Sequence, residues 1–185
     1  WLDLEYDVKD FLYFKIDRKK KIFVSTLLLA LGFTKSEIVN EFYKSESFTY
    51  DSKNKKWKTK FNPENYKAKN FSEEVIDAKS GKIVINLGEK INYLNAKKLS
   101  SDGLKDILVS KESLFGKFLH KDIKISDEEE GTFKIGTEIN DTVIQQILDA
   151  NINTLEISIT NSINKGPYLL TTLLNDKNNT KDEAI

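Results

Sequence analysis

Two stretches of this chain align on each other without a gap at a spacing of 48 residues: "GEKINYLNAKKLSSDGLKDILV", Gly88 to Val109, and "GTEINDTVIQQILDANINTLEI", Gly136 to Ile157. Gly88 matches Gly136, Ile91 matches Ile139 and Asn92 matches Asn140; farther on, Leu99 pairs with Ile147, Leu104 with Ile152, Ile107 with Leu155 and Val109 with Ile157. Each copy reads as an Asn N-cap, an amphipathic helix of about ten residues, a left-handed stop at Gly103 or Asn151, and a short apolar strand. Two related strand–helix–strand units imply a pseudo-symmetric α+β module. Such a pattern describes a scaffold and carries no chemistry.

The segments outside the repeat are legible from local patterns. "WLDLEYDVKDFLYFKID" predicts a hairpin, with Trp1, Leu2, Leu4 and Tyr6 leading in, "DVKD" turning, and Phe11 to Ile16 returning. After the basic run "KIDRKKK" (Lys15 to Lys21), Ser25 or Thr26 is placed to cap a short helix through Leu31, stopped at Gly32. "TKSE", Thr34 to Glu37, is a capping-box pattern that opens a helix carrying Ile38, Val39, Phe42 and Tyr43. From Ser45 the texture changes. "SFTYDSKNKKWKTKFNPENY" predicts a second hairpin about an Asp-Ser-Lys-Asn turn, on a polar surface, and short strands separated by glycine turns follow. These patterns place a subdomain boundary near Ser45, with an α+β, mainly β texture beyond it.

Composition closes several functional classes. No cysteine is present, so disulfides and thiolate metal sites are excluded, and one histidine cannot build a multi-histidine centre. The longest apolar stretch, "IFVSTLLLALGF", is about half a membrane span, and no signal peptide is expected. A start at Trp1 without any methionine suggests a processed or excised piece. Lys plus Arg and Asp plus Glu balance at 29 each, but residues 1–71 carry 15 basic against 10 acidic side chains and the remainder 14 against 19. That gradient favours an anionic partner at the N-terminal part.

No group of residues assembles a catalytic site. "LFGKF" and "INKGPY" lack the glycines and the Lys-Ser/Thr ending of a phosphate loop. His120, in "FLHKDIKIS", reads as an exposed or interfacial strand residue rather than the base of a Ser-His-Asp arrangement. "SDEEEG", Ser126 to Gly131, reads as an acidic hairpin tip rather than a Mg²⁺ or Ca²⁺ loop. "KNKKWKTK" reads as a solvated edge strand guarded by lysines, with nucleic-acid binding through Trp57 as the alternative. For Trp1, core packing stands beside an aromatic surface joined to the cations of the basic run.

The first 43 residues, "WLDLEYDVKDFLYFKIDRKKKIFVSTLLLALGFTKSEIVNEFY", resemble nearly position for position a segment of the β subunit of bacterial DNA-dependent RNA polymerase. The end, "ITNSINKGPYLLTTLLNDKNNTKDEAI", is similar to the same family's strand into a Gly-Pro-Tyr helix, and "GKFLHKDI" with the two "G-x-x-I-N" units is similar to an insertion that many of these subunits carry. The resemblance implies a lobe portion, residues 1–44 and 158–185, made of a β-hairpin plus two helices, with 45–157 as its insertion. It implies no catalytic residue and no cofactor in this piece, because the family holds its catalytic Mg²⁺ on another subunit. Partners implied are the β′, α and ω subunits, sigma factor, downstream DNA and regulators on the insertion, in the cytoplasm at the bacterial nucleoid and away from membranes.

By the same resemblance Trp1 stacks on an unpaired non-template base, and Asp17, Arg18, Lys19 and Lys20 lie near that strand. The family carries more arginine at this place; here Arg18 is the only one, and a lysine keeps the charge while losing the two-pronged geometry of arginine. The family's Leu-Pro after the run is replaced by Ile22-Phe23. The alternative is a stand-alone interaction module that docks regulators through the repeat. A small independent enzyme is disfavoured because no polar groups converge.

Overall fold

The structure, a computed structural model, describes residues 2–17, 19–66, 69–71, 73–128, 131–161 and 166–185. The chain begins with β1 (Leu2–Tyr6), β2 (Leu12–Ile16), β3 (Lys20–Phe23), α1 (Val24–Ala30), α2 (Lys35–Phe42), β4 (Ser45–Asp51) and β5 (Lys56–Lys60). A 3-10 turn at Pro63–Asn65 leads to β6 (Lys69–Asn70), β7 (Val75–Asp77), β8 (Ile83–Ile85), β9 (Lys90–Ile91), α3 (Tyr93–Ser101) and β10 (Asp106–Val109). A second 3-10 turn at Lys111–Leu114 precedes β11 (Phe118–Leu119), β12 (Ile123–Lys124), β13 (Thr132–Phe133), α4 (Asp141–Asp149), β14 (Thr154–Ser158), α5 (Tyr168–Asn175) and α6 (Lys181–Ala184). The fold is α+β, as expected from the sequence. It divides into two compact units, one of Trp1–Ser45, Gly116–Ile139 and Glu156–Ile185, the other of Glu46–Phe115 and Asn140–Leu155. The middle of the chain is thus shared between the units.

In the first unit, β1, β2 and β3 form an antiparallel meander in that order. Asp7 closes the first turn by accepting the backbone N–H of Lys9 at 2.8 Å and of Phe11 at 3.0 Å, and Asp10 takes φ 60°. Aspartate suits both positions because its short side chain binds the local backbone and tolerates the left-handed region. The basic run ends β2 with Lys15 and Ile16, as the hairpin reading had it, and then goes further than that reading. It forms a second turn and starts β3, whose pairing partner β2 lies upstream.

Helix α1 begins at Val24 after an N-cap at Phe23 that has no side-chain cap, so Ser25 and Thr26 are not caps. Their hydroxyls donate to Oδ2 of Asp176, at 2.5 and 2.8 Å, where Asp176 ends α5. A long-range partner has displaced the local one. The stop at Gly32 follows the sequence reading: its φ is +101°, its N–H reaches the Leu29 carbonyl and that of Phe33 reaches Leu28, a Schellman closure. Thr34 and Glu37 form the expected capping box of α2. Leu29, Ile38, Val39, Tyr43, Ile135, Leu169, Leu170 and Leu173 make the core of this unit. From residues 116–139, Ile135 joins this core and Phe118 packs against it.

In the second unit, strands β4, β5, β10, β7 and β8 form consecutive antiparallel pairs in that order. Asp51 builds the β4–β5 turn by accepting from the N–H groups of Lys53 and Asn54. β5 is an internal strand, paired with β4 on one side and β10 on the other. On one sheet face Phe48, Trp57, Thr59, Ile107 and Val109 are all buried, and Trp57 is only 1% exposed. The solvated edge strand and the stacking platform expected of "KNKKWKTK" are therefore both replaced by a core strand. Period-2 alternation put its lysines on the opposite face.

The two aligned segments have one local order. Asn92 and Asn140 each cap a helix of nine residues, and each side chain accepts the N–H three residues on at 2.9 Å. Gly103 at φ 105° and Asn151 at φ 59° then turn the chain toward β10 and β14.

Candidate nucleic-acid interface

Of the residues singled out from the sequence, Asp17, Lys19 and Lys20 lie at the turn between β2 and β3. Leu2 on β1 and Lys20 on β3 both pair with Ile16, so the start of β1 and the β2–β3 turn share a sheet end. Trp1 and Arg18 lie outside the described residues. Asp17 takes φ 49° and is exposed, and the Lys19 N–H closes the turn onto the Ile16 carbonyl at 3.1 Å. Asp17 thus acts as a turn former, a role its tolerance of the left-handed region explains.

The lysines of the run are not equivalent. Lys15 and Lys21 stand opposite each other across β2 and β3 and both reach Glu5, at 2.8 and 3.0 Å. These contacts, that with Lys15 foremost, hold the Glu5 carboxyl below its usual range. Lys21 also lies 4.3 Å from the centre of the Tyr13 ring, which stacks on Phe23. Lys19 and Lys20 are exposed, and among the described residues no carboxylate contacts either. Two of the run's four lysines therefore share one carboxylate within the sheet, and the other two face solvent at the turn. Glu5 was the residue that sequence reasoning missed. Only the strand register brings it between two lysines ten and sixteen positions away.

The other candidates separate. His120 is 3% exposed and hydrogen-bonded through both ring nitrogens, not an exposed strand residue. The acidic tip lies between β12 and β13, with Glu129 and Glu130 outside the described residues. Among the described residues no cluster of three or more His, Asp or Glu is placed to hold a metal ion. No described helix is long and apolar enough to cross a membrane. A cleft of about 590 Å³ includes Lys35 and Asp176 in its lining. Its half-buried Lys35 ammonium caps the end of α5, donating to the carbonyls of Leu173 and Asp176 at 3.0 and 3.1 Å.

What fold and surface define is a two-unit α+β module with two exposed lysines at the β2–β3 turn. A search against family models found no match. Over all 185 residues the chain is 39% identical to the DNA-directed RNA polymerase subunit beta of Rickettsia conorii, 38% to that of Rickettsia felis and 37% to that of Rickettsia akari. It covers 13% of each of those relatives, with its own length matched in full. The chain belongs to the family of DNA-directed RNA polymerase β subunits and corresponds to a segment of one.

Proposed function

We propose that this segment is a non-catalytic part of the polymerase jaw, the lobe of the β subunit with its insertion, and that it passes the downstream and non-template DNA along its basic turn. The observation that supports this reading most is the pair Lys19 and Lys20, exposed and unneutralised at the sheet end where β1 begins, in a chain related along its whole length to β subunits. In this reading Asp17 shapes the turn, Lys19 and Lys20 attract the phosphate backbone together with Arg18, and Trp1 stacks on an unpaired base. Phosphate attraction of this kind is salt-dependent and indifferent to sequence, and a base on an aromatic ring contributes about 1–3 kcal/mol. Catalysis and its Mg²⁺ belong to other parts of the enzyme, and the β′, α and ω subunits and sigma factor are the partners.

The test is a fluorescence-anisotropy titration of the chain with single-stranded DNA at several salt concentrations. Weak binding that collapses as salt rises is expected. Lys19→Ala with Lys20→Ala should lower the slope of log affinity against log salt by about 1.4, the contribution of two phosphate contacts on a single strand. Tight, salt-insensitive binding, or a slope untouched by the double substitution, contradicts the reading.

A further inference from the structure

The first unit is assembled from three separated stretches of chain, and one side chain in the middle stretch bonds a residue in each of the other two. His120 belongs to residues 116–139; its Nε2 lies 2.9 Å from Oδ1 of Asn40 on α2, and its Nδ1 2.8 Å from Oγ of Ser158 at the end of β14. The amide oxygen of Asn40 can only accept, so Nε2 carries the hydrogen. In the neutral ring Nδ1 is then bare and accepts the Ser158 hydroxyl. The ring is 3% exposed and further fixed by its backbone N–H on the Glu156 carbonyl at 2.9 Å.

A proton added at Nδ1 would face a hydroxyl that is already donating. Ser158, itself 2% exposed, would have to turn its hydrogen away from its acceptor, and a charge would be left with almost no solvent. The surroundings give little compensation. From β14, Glu156 is already engaged by Lys121 at 2.8 Å; from the histidine's own stretch, Lys121 adds like charge; α2 contributes the neutral Asn40. Burial, with Lys121, pushes the imidazole below the ordinary histidine value, and Glu156 opposes this.

We infer that His120 is a proton-sensitive pin: neutral, it holds residues 116–139 to the two end stretches of the first unit, and protonation loosens that hold. A basic group whose value is depressed by folding contributes its full stability above the unfolded value, about 6.5. That contribution is lost as pH falls from there through the folded value, at no more than about tenfold in the folding constant per pH unit. His120 is the only histidine in the chain, so no second imidazole confuses the window.

Hydrogen exchange of the chain at pH 7.5 and 5.5, corrected for the intrinsic chemical rate, tests this. Amides of 116–139 and of α2 should exchange faster at the lower pH while those of the second unit hold, and His120→Gln should remove the difference. Equal responses in both units, or a pH response that survives His120→Gln, overturn the inference. If that variant does not fold, nitrogen NMR of the unaltered imidazole decides. A proton on Nε2 and a midpoint below about 6.5 support the pin. A proton on Nδ1, or a midpoint at or above that value, overturns it.

Discussion

Glycine 136 and its aligned partner Gly88 separate what a sequence match implies from what packing demands. Both adopt positive φ, +84° and +76°, so an alanine at either is strained. A Cβ at Gly88 meets nothing within 4 Å, whereas at Gly136 it would sit 2.4 Å from the Leu170 carbonyl oxygen on α5. Gly88→Ala should therefore cost about 1 kcal/mol, and Gly136→Ala clearly more, because α5 must move away from the β11–β13 stretch. Urea unfolding of the two variants beside the parent measures the contrast, and equal midpoints would show that backbone strain alone is at work. Trp57 makes the same point about legibility. Its lysine neighbours are visible in the sequence, but its burial depends on β10, about fifty residues downstream in the chain, pairing on the far side of β5.

Elements closed by local chemistry were legible, and elements closed at long range were not. The capping box of α2, the Asn caps of α3 and α4, the Schellman stop of α1 and the Asp7 turn each use partners within five positions, a spacing that any reader of the chain can see. The start of α1 misled, because Ser25 and Thr26 resemble caps while their hydroxyls serve Asp176, some 150 residues on. This junction between α1 and α5 predicts an asymmetry. Ser25 is fully buried and Asp176 5% exposed, so Asp176→Leu strands two hydroxyls and should cost more than Thr26→Ala, which leaves the shorter Ser25 contact in place. A buried group left unpaired costs about 1–3 kcal/mol, and that is the expected excess in thermal or urea denaturation. β3 escaped the sequence reading for the same physical reason. Two of its four residues are lysine, and pairing with β2 makes them a strand.

At the scale of the whole molecule, the charge gradient read from the sequence pointed to an anionic partner, but the strand register decides which charges remain available. Glu5 takes up Lys15 and Lys21, leaving Lys19 and Lys20 open at the turn. The basic run is thus partly a structural clasp of the meander and partly a surface. The relatives extend well beyond the segment, which covers 13% of their length, so its surface is best tested inside an assembled polymerase. The most direct measurement places a photo-crosslinking residue at position 19 of the β subunit in a polymerase bound at a promoter. The account predicts adducts on the non-template strand at the downstream edge of the melted region, with a crosslinker at Lys98 on α3 as the silent control. Adducts to protein alone, or equal DNA adducts from both positions, would contradict it.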